Sequence, residues 1–551
     1  MRFTRRGAIG LAAGGVAAGT LAACGNGNGG GAGADGDVPP LTTFPQATNT
    51  FQRNFNPFAP SGLAGASGYV FEPLMISTPM QPGEQMPWLA ESMEFNDDGT
   101  VITFTLRDDV TWSDGEAFDA EDVAFSFTMF AEHPATNAAA RPIVEATVID
   151  EHTVEVEFEY AQFAYQAAIG NYLMVPEHLW SDIDPVEDTI DDPVGTGPYV
   201  LDHFGDQIYT MTKREDYWNT DGFEVQEVQF PAHTGETLTT ALQAGELDWA
   251  GGFISNIEDV FWNQDPDNNG SWFPGGGLVA LLPNNEEEIF EDTTLRRAIS
   301  LALDREQITE VAMQGYTPPA HPTGLPLPTY EEVIAPEHAD ATLEFDPEEA
   351  NRILDEAGYE RGDGGIRSTP DGERLSWTME IPSGWVDWID TSQLIEEQLA
   401  EIGIDLTAQG VAEEAYIEAR GNGNFVITMG AVAVGNTPFD MYRAMMSSEY
   451  EVDEGSVVQN FARFYDDEAD EALDAYASTE DEGEQQDALE NLQQLMIDRM
   501  PLIGLFQAPN WFHYTTARWE GFPNEDDPYA LGAPFSMPDR LLILQRLTPA
   551  Q

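Results

Sequence analysis

A chain of 551 residues with a single cysteine, Cys24, has to hold itself together without covalent cross-links. A lone thiol forms no intramolecular disulfide and supplies no cysteine cluster for a metal. The fold must rest on apolar burial. Hydrophobic residues make up 42% of the chain, enough for real cores and too many for disorder. The length exceeds what one core supports, so two or three lobes are expected.

The position of Cys24 gives the thiol a different role. Arg2, Thr4, Arg5 and Arg6 precede an apolar stretch from Gly7 to Ala22. That stretch is too short and too rich in Gly and Ala for a membrane span, which needs ~20 strongly apolar residues. A twin-Arg pair before a weakly hydrophobic run resembles a signal of the twin-arginine export route, which carries folded proteins. Leu21-Ala22-Ala23-Cys24 resembles a lipoprotein signal box, in which the thiol is lipidated and becomes the new N-terminus. Residues 1–23 are therefore read as the signal and 24–40 as a flexible tether rich in Gly, Asn, Ala and Asp. One acyl chain anchors only marginally, so more than one is expected at Cys24. The body is then placed at the extracellular face of the cell membrane, attached by lipid.

Charge narrows the partners. There are 98 acidic and 22 basic residues, a formal net charge of −76, and Lys213 is the only lysine. Such a surface repels nucleic acid and anionic headgroups. The acids are dispersed along the chain, which predicts a solvated shell suited to high salt rather than a polyvalent cation site. At molar salt the Debye length is ~3 Å, which screens most of the self-repulsion. "DPDNNG" puts Asp265, Asp267 and Asn269 at calcium-loop spacing. Gly276 stands where that loop needs a bidentate Glu, so an acidic turn is expected. No cofactor and no metal are expected.

Along the body, strand and helix signals alternate. "VITFTLRDDVTW" (Val101 to Trp112) alternates apolar and polar residues, as a half-buried strand does. Asp114-Gly115 supplies a turn. Asp119 is placed as an N-cap, with Glu121 and Asp122 in the first helical turn. A helix is expected over Leu238 to Ala244, stopped by Gly245. Asp346, Pro347 and Gly358 bracket another. Ile395, Leu399 and Ile402, then Leu489, Leu492 and Met496, fall at helical spacing. The alternation predicts an α/β protein.

Seven blocks then carry a family resemblance. They are Pro87 to Ser92 (PWLAES), Trp112 to Val123 (WSDGEAFDAEDV), Gly195 to Tyr199 (GTGPY) and Leu242 to Asp248 (LQAGELD). Arg296 to Arg305 (RRAISLALDR), Ala350 to Tyr359, and Phe464 to Leu473 followed by Arg499 to Ile503 complete the set. In this order they resemble the family 5 extracellular solute-binding proteins of ABC importers, the oligopeptide- and dipeptide-binding type, in a haloarchaeal-type lipoprotein form. The resemblance implies a periplasmic-binding-protein-like fold, two main lobes with a hinge plus an extra lobe (class II, large type). It implies lobe I over 41–70, 200–290 and 509–551, the extra lobe II over 71–199, and lobe III over 291–508. It also implies a monomer that passes its solute to a permease and an ATPase on separate chains.

The solute is the open question. Peptide binders of this family share a segment whose Asp pairs with the free α-amine of the peptide. The matching stretch here is Gly430 to Pro438, with Ala431 where those proteins have Trp and Val434 where they have the Asp. An ammonium left facing Val434 would cost ~3 kcal/mol or more. Asn436 and Asp440 lie close by, and Asp440 is an alternative anchor. "GNTPFDMYRAMMS", "NFNPFAPSG" and "WEGFPNEDDPYA" are closer to members thought to take oligosaccharides. Sugars bind by stacking on aromatic rings, and Trp249, Trp385, Trp388 and Trp511 are the candidate platforms. The chain is read as leaning to an oligosaccharide, with a peptide as the alternative within the family. A secreted glycoside hydrolase is the alternative of another class, since it needs just two carboxylates. A sensor or chaperone-like binder is a third reading. No Walker A loop, H-E-x-x-H or G-x-S-x-G motif is present, and a binder, not an enzyme, is expected.

Overall fold

The computed structural model describes residues 38–550, apart from 82, 138, 328, 434, 454, 455 and 480. The signal, Cys24, most of the tether, and Val434 lie outside the described residues. Among the described residues, no helix is long and apolar enough to cross a membrane.

Four sheets organise the described residues from 39 onward. A seven-stranded mixed sheet runs in the order Asn269–Trp272, Phe512–Thr515, Trp249–Ala250, Leu41–Phe44, Glu227–Pro231, Ile208–Lys213, Tyr199–Gly205. Leu41–Phe44 lies inside it, parallel to both neighbours. A three-stranded antiparallel sheet is built from Ile427–Ala433, Gly275–Pro283 and Ile503–Pro509. The parallel pair Ser376–Pro382 and Asp405–Val411 is joined by helix Val386–Glu401. A four-stranded antiparallel sheet, Ala90–Phe95, Val101–Leu106, Thr153–Phe158 and Ile143–Asp150, belongs to the inserted region.

Local chemistry explains these elements. Residues 101–106 alternate between half-buried and buried, as a sheet with one covered face requires. The strand stops at Leu106 rather than continuing to Trp112. Trp112 instead turns inward and donates its indole N–H to Asp122 Oδ2 at 2.8 Å. Asp119 caps helix Ala120–Glu132, and Asp122 completes the capping box. Phe127 on that helix stacks on Phe104 of the sheet at 5.8 Å. Asp346 caps helix Pro347–Glu356 with Pro347 in its first turn.

Two short segments cross between the seven- and three-stranded sheets. One runs from Trp272 to Gly275 and the other from Pro509 to Phe512. The first corrects the lobe I boundary expected at 290. Strand Gly275–Pro283 already pairs with 427–433 and 503–509, so the chain changes sheets at 273–274. The apolar run after 277 reads as a continuation in sequence, but the Pro274-Gly275-Gly276-Gly277 punctuation is where the chain leaves one sheet for the other.

The Gly195–Tyr199 block lies against residues 69–70. Gly197 N–H donates to Val70 O at 2.8 Å and Tyr199 N–H to Tyr69 O at 3.0 Å. A Cβ on Gly195 would stand 2.0 Å from Val70 O, so no other residue fits without moving backbone. Arg214, just past strand Ile208–Lys213, ties this segment down. Its Nη1 donates to the carbonyls of Gly195, Thr196 and Gly197 at 3.0–3.3 Å. Its Nη2 donates to Thr111 O and Trp112 O at 3.1 and 3.2 Å.

Nearby, Glu72 is fully buried. Trp88 Nε1 and Tyr217 Oη each donate to its Oε1 at 2.7 Å. Burial pushes the Glu72 carboxyl up to about 7, more than these bonds pull it down. A raised carboxyl stabilises the fold fully below its unfolded pKa, and that stability is lost as pH rises through about 7. Glu72→Gln keeps the acceptor and removes the charge. It is expected to stabilise the protein on the order of 3 kcal/mol at pH above about 8, with little effect near pH 5. Denaturant unfolding across that range measures it; an equal effect at both ends would show that ionisation of Glu72 is not the cause.

Candidate functional site

A cavity of about 480 Å³ lies between the two sheet systems. Phe44, Gly251, Gly252, Trp511 and Phe535 line it from the seven-stranded side and its crossing. Gly384 to Trp388, Glu413, Ala431 and Ala433 line it from the other. The walls approach closely: a Cβ on Gly235 would stand 2.7 Å from Gly384 O. A larger groove of about 770 Å³ lies on the surface between helices Asp467–Ala477 and Glu482–Arg499. Its lining is Glu468, Glu471, Glu484, Asp487 and small or polar residues, without an aromatic ring. That is a solvated acidic face rather than a shaped site.

The cavity gathers three of the four candidate tryptophans. Trp385 immediately precedes helix Val386–Glu401 and is half-buried. Its ring meets Trp388 edge-on at 4.7 Å, with Tyr416 behind both at 6.4 and 6.2 Å. Trp388 is nearly buried and belongs as much to the core as to the wall. Trp511 sits in the second crossing, edge-on to Phe273 and Phe253 at 4.9 and 5.2 Å.

Trp249 is corrected from a cavity platform to a core residue. It is fully buried, packs beside Phe522, and donates its indole N–H to Gly532 O at 2.7 Å. On a strand, neighbouring side chains face opposite ways, and this one faces the core. Asp440 is corrected likewise. Its Oδ2 accepts from Thr437 N–H and Oγ1 at 2.9 and 3.0 Å, closing a capping box at the start of helix Pro438–Met446. The carboxylate is turned to its own helix start, and Asp440 is not among the residues lining the cavity. Asn436 is half-buried beside that cap and is not on the cavity wall; its Oδ1 is buried without a hydrogen-bond partner. Asp265 accepts from Asn268 Nδ2 at 2.8 Å within a turn, and among the described residues no group of His, Cys, Asp and Glu could hold a metal.

Two acidic residues on the wall were not legible in the sequence. Asp387 stands between the two tryptophans and is 7% exposed. Its Oδ2 lies 3.4 Å from Trp511 Nε1, across the crossing. Burial pushes its carboxyl up to about 6, against backbone N–H groups at the helix start and the Trp511 indole. Burial also raises Glu413, the first residue of helix Glu413–Gly421. No Arg, Lys or His is among the described residues lining this cavity. The site can therefore hold apolar ring faces against aromatic walls and accept hydrogen bonds from a solute. It offers no charged donor to an anion.

Residues 84–453 match the profile of the bacterial extracellular solute-binding proteins, family 5 Middle. The chain belongs to this family. Family 5 proteins are the extracellular solute-binding components of ABC importers, and the two-lobe α/β fold is theirs. Protein XP55 of Streptomyces lividans is 30% identical over 455 residues, 80% of this chain and 79% of that one. The nickel-binding periplasmic protein of Escherichia coli is 24% identical over 374 residues, 65% of this chain and 69% of that one. A solved mannohexaose-bound periplasmic oligopeptide-binding protein of Thermotoga maritima superposes with a TM-score of 0.83 at 24% identity, over 93% of this chain and 98% of that one. Cargo thus differs widely among similar family 5 proteins, and it has to be argued from the cavity wall.

Proposed function

We propose that this family 5 protein captures an oligosaccharide between its closing lobes and delivers it to a permease and ATPase on separate chains. The observation that carries this reading is the meeting of Trp385, Trp388 and Trp511 on one cavity. Ring faces of a sugar chain stack on such walls, and the carboxylates between them accept from hydroxyls. The mannohexaose-bound relative adds support from the same fold. So does Val434, which stands where the peptide binders' segment carries its Asp amine anchor, with Ala431 in place of that segment's Trp. Asp440, the alternative anchor, caps a helix and is not on the cavity wall. The protein binds its solute without chemistry, so incubation with oligosaccharides is expected to release no shorter products.

Tryptophan fluorescence reads the proposal directly. In high salt, cello- and manno-oligosaccharides are expected to give a saturable response. Trp385→Ala, at a half-buried position, is expected to weaken it by about 1–2 kcal/mol, roughly tenfold. A response to N-acetylated and free-amine peptides alike, with none to sugars, would replace the sugar reading by the peptide one.

The same proposal covers the N-terminal segment. Export by the twin-arginine route, lipidation at Cys24 and a solvated acidic shell suited to salt would leave a monomer tethered at the outer membrane face. Mass spectrometry of the membrane fraction is expected to find Cys24 as an acylated N-terminus; intact protein still beginning at Met1 would sink this part.

A further inference from the structure

We propose that Asp387 and Glu413 form an ammonium subsite, so that the preferred solute carries a primary amine at the end that enters this corner of the cavity. This rests on the cavity assigned under the proposed function, though not on the solute being a sugar. Its two acids come from the starts of helices Val386–Glu401 and Glu413–Gly421, not from the Gly430–Pro438 segment, where the sequence has Val434 at the anchor position.

Three observations converge. First, both acids line the cavity that Trp385, Trp388 and Trp511 also line, and no cationic side chain is among its described lining residues. Second, Asp387 is more than nine-tenths buried, and its one side-chain partner is the neutral Trp511 indole at a long 3.4 Å. Buried Asp248 and half-buried Glu449 are matched better. Asp248 holds Arg518 at 2.6 Å and Thr42 N–H at 2.9 Å, and Glu449 is shared by Arg141 and Arg443. Third, aromatic rings surround the acids, and they attract a cation to their faces while repelling an anion.

A buried carboxylate without a counter-ion, with a second, half-buried one on the same wall, is costly. The protein carries that cost on the cavity wall, where a ligand can relieve it. A primary ammonium has three donors, enough for Asp387, Glu413 and one further acceptor. A carboxylate or phosphate would meet two like charges and no cationic donor among the described lining residues. The arrangement therefore selects by charge, while the tryptophans select by shape.

Amino-sugar oligomers and free peptide N-termini both supply this group, and paired probes separate them. The full-length protein is titrated with glucosamine oligomers and their N-acetylated twins, with a neutral cello-oligosaccharide, and with a free-amine peptide and its N-acetylated twin. The amine member of at least one pair is expected to bind roughly tenfold to a hundredfold tighter than its twin. Asp387→Asn and Glu413→Gln are each expected to shrink that ratio, and the double variant to bring it near one. Glu413, at the surface end of its helix, provides a readable variant should Asp387→Asn fold poorly.

Equal affinity within both pairs overturns the ammonium subsite, even if sugars bind and the stacking reading stands. An amine preference that survives the double variant overturns the assignment to these two acids. An amine preference confined to peptides supports the subsite and removes the sugar reading. An amine preference among sugars supports both.

Discussion

Arg214→Ala is expected to lower the unfolding free energy by about 4 kcal/mol, the scale of leaving several buried carbonyls without their donor. One guanidinium holds five carbonyls on two segments, 195–197 and 111–112. Its side chain is nearly inaccessible, so water replaces none of those bonds without opening the structure. The adjoining pair with Asp216 adds little, because that carboxylate is largely exposed. The segments belong to different parts of the fold. Tyr199 opens a strand of the seven-stranded sheet, while 111–112 lead toward the helix that covers the four-stranded sheet. The variant should therefore loosen one against the other as well as destabilise both. Denaturant unfolding in high salt checks the magnitude, and proteolysis between the two regions checks the loosening. Arg214→Lys keeps the charge but not the planar fork, and should recover only a minor part. A loss below about 1 kcal/mol in Arg214→Ala would mean that the carbonyls find other partners.

Trp511→Ala should cost about 3–5 kcal/mol in stability and remove solute binding. Trp511 is 8% exposed and packs against Phe253, Phe273 and Tyr316 at the second crossing between sheets. Its removal would leave a void where the chain passes from strand Ile503–Pro509 to strand Phe512–Thr515. It would also strip Asp387 of its one side-chain donor. Trp511→Phe separates the two effects. It retains most of the ring and loses the N–H, so about 1 kcal/mol of stability should go. Calorimetry and a solute titration on both variants give the result. Normal binding in Trp511→Ala would place the functional wall elsewhere in the cavity.

The family blocks turn out to be largely structural devices. Trp112 and Asp122 of one block bond to each other. Asp248 of another is the buried partner of Arg518 and Thr42. Arg296 and Arg305 of a third donate to Arg499 O and Gly504 O at 2.7 and 2.6 Å. They mark the fold, which is why relatives that share it can carry different cargo.

Much of the local structure was readable from residues alone. The α/β class, the caps at Asp119 and Asp346, and the alternation over Val101–Leu106 all follow from interactions within a few positions of the chain. The cavity was only partly readable. Trp385, Trp388 and Trp511 were candidates, and so was Trp249, because a large aromatic gives the same signal in a core as on a wall. Asp387 was hidden among 98 acidic residues, where composition cannot separate a buried carboxylate from a solvated one. The sheet crossing at 273–274 was also missed. Caps, turns and periodicity belonged to the sequence because their energies are local. Which strands share a sheet, which tryptophans face the cavity and which acid leaves water were decided by tertiary structure, because pairing and desolvation depend on residues far away in the chain.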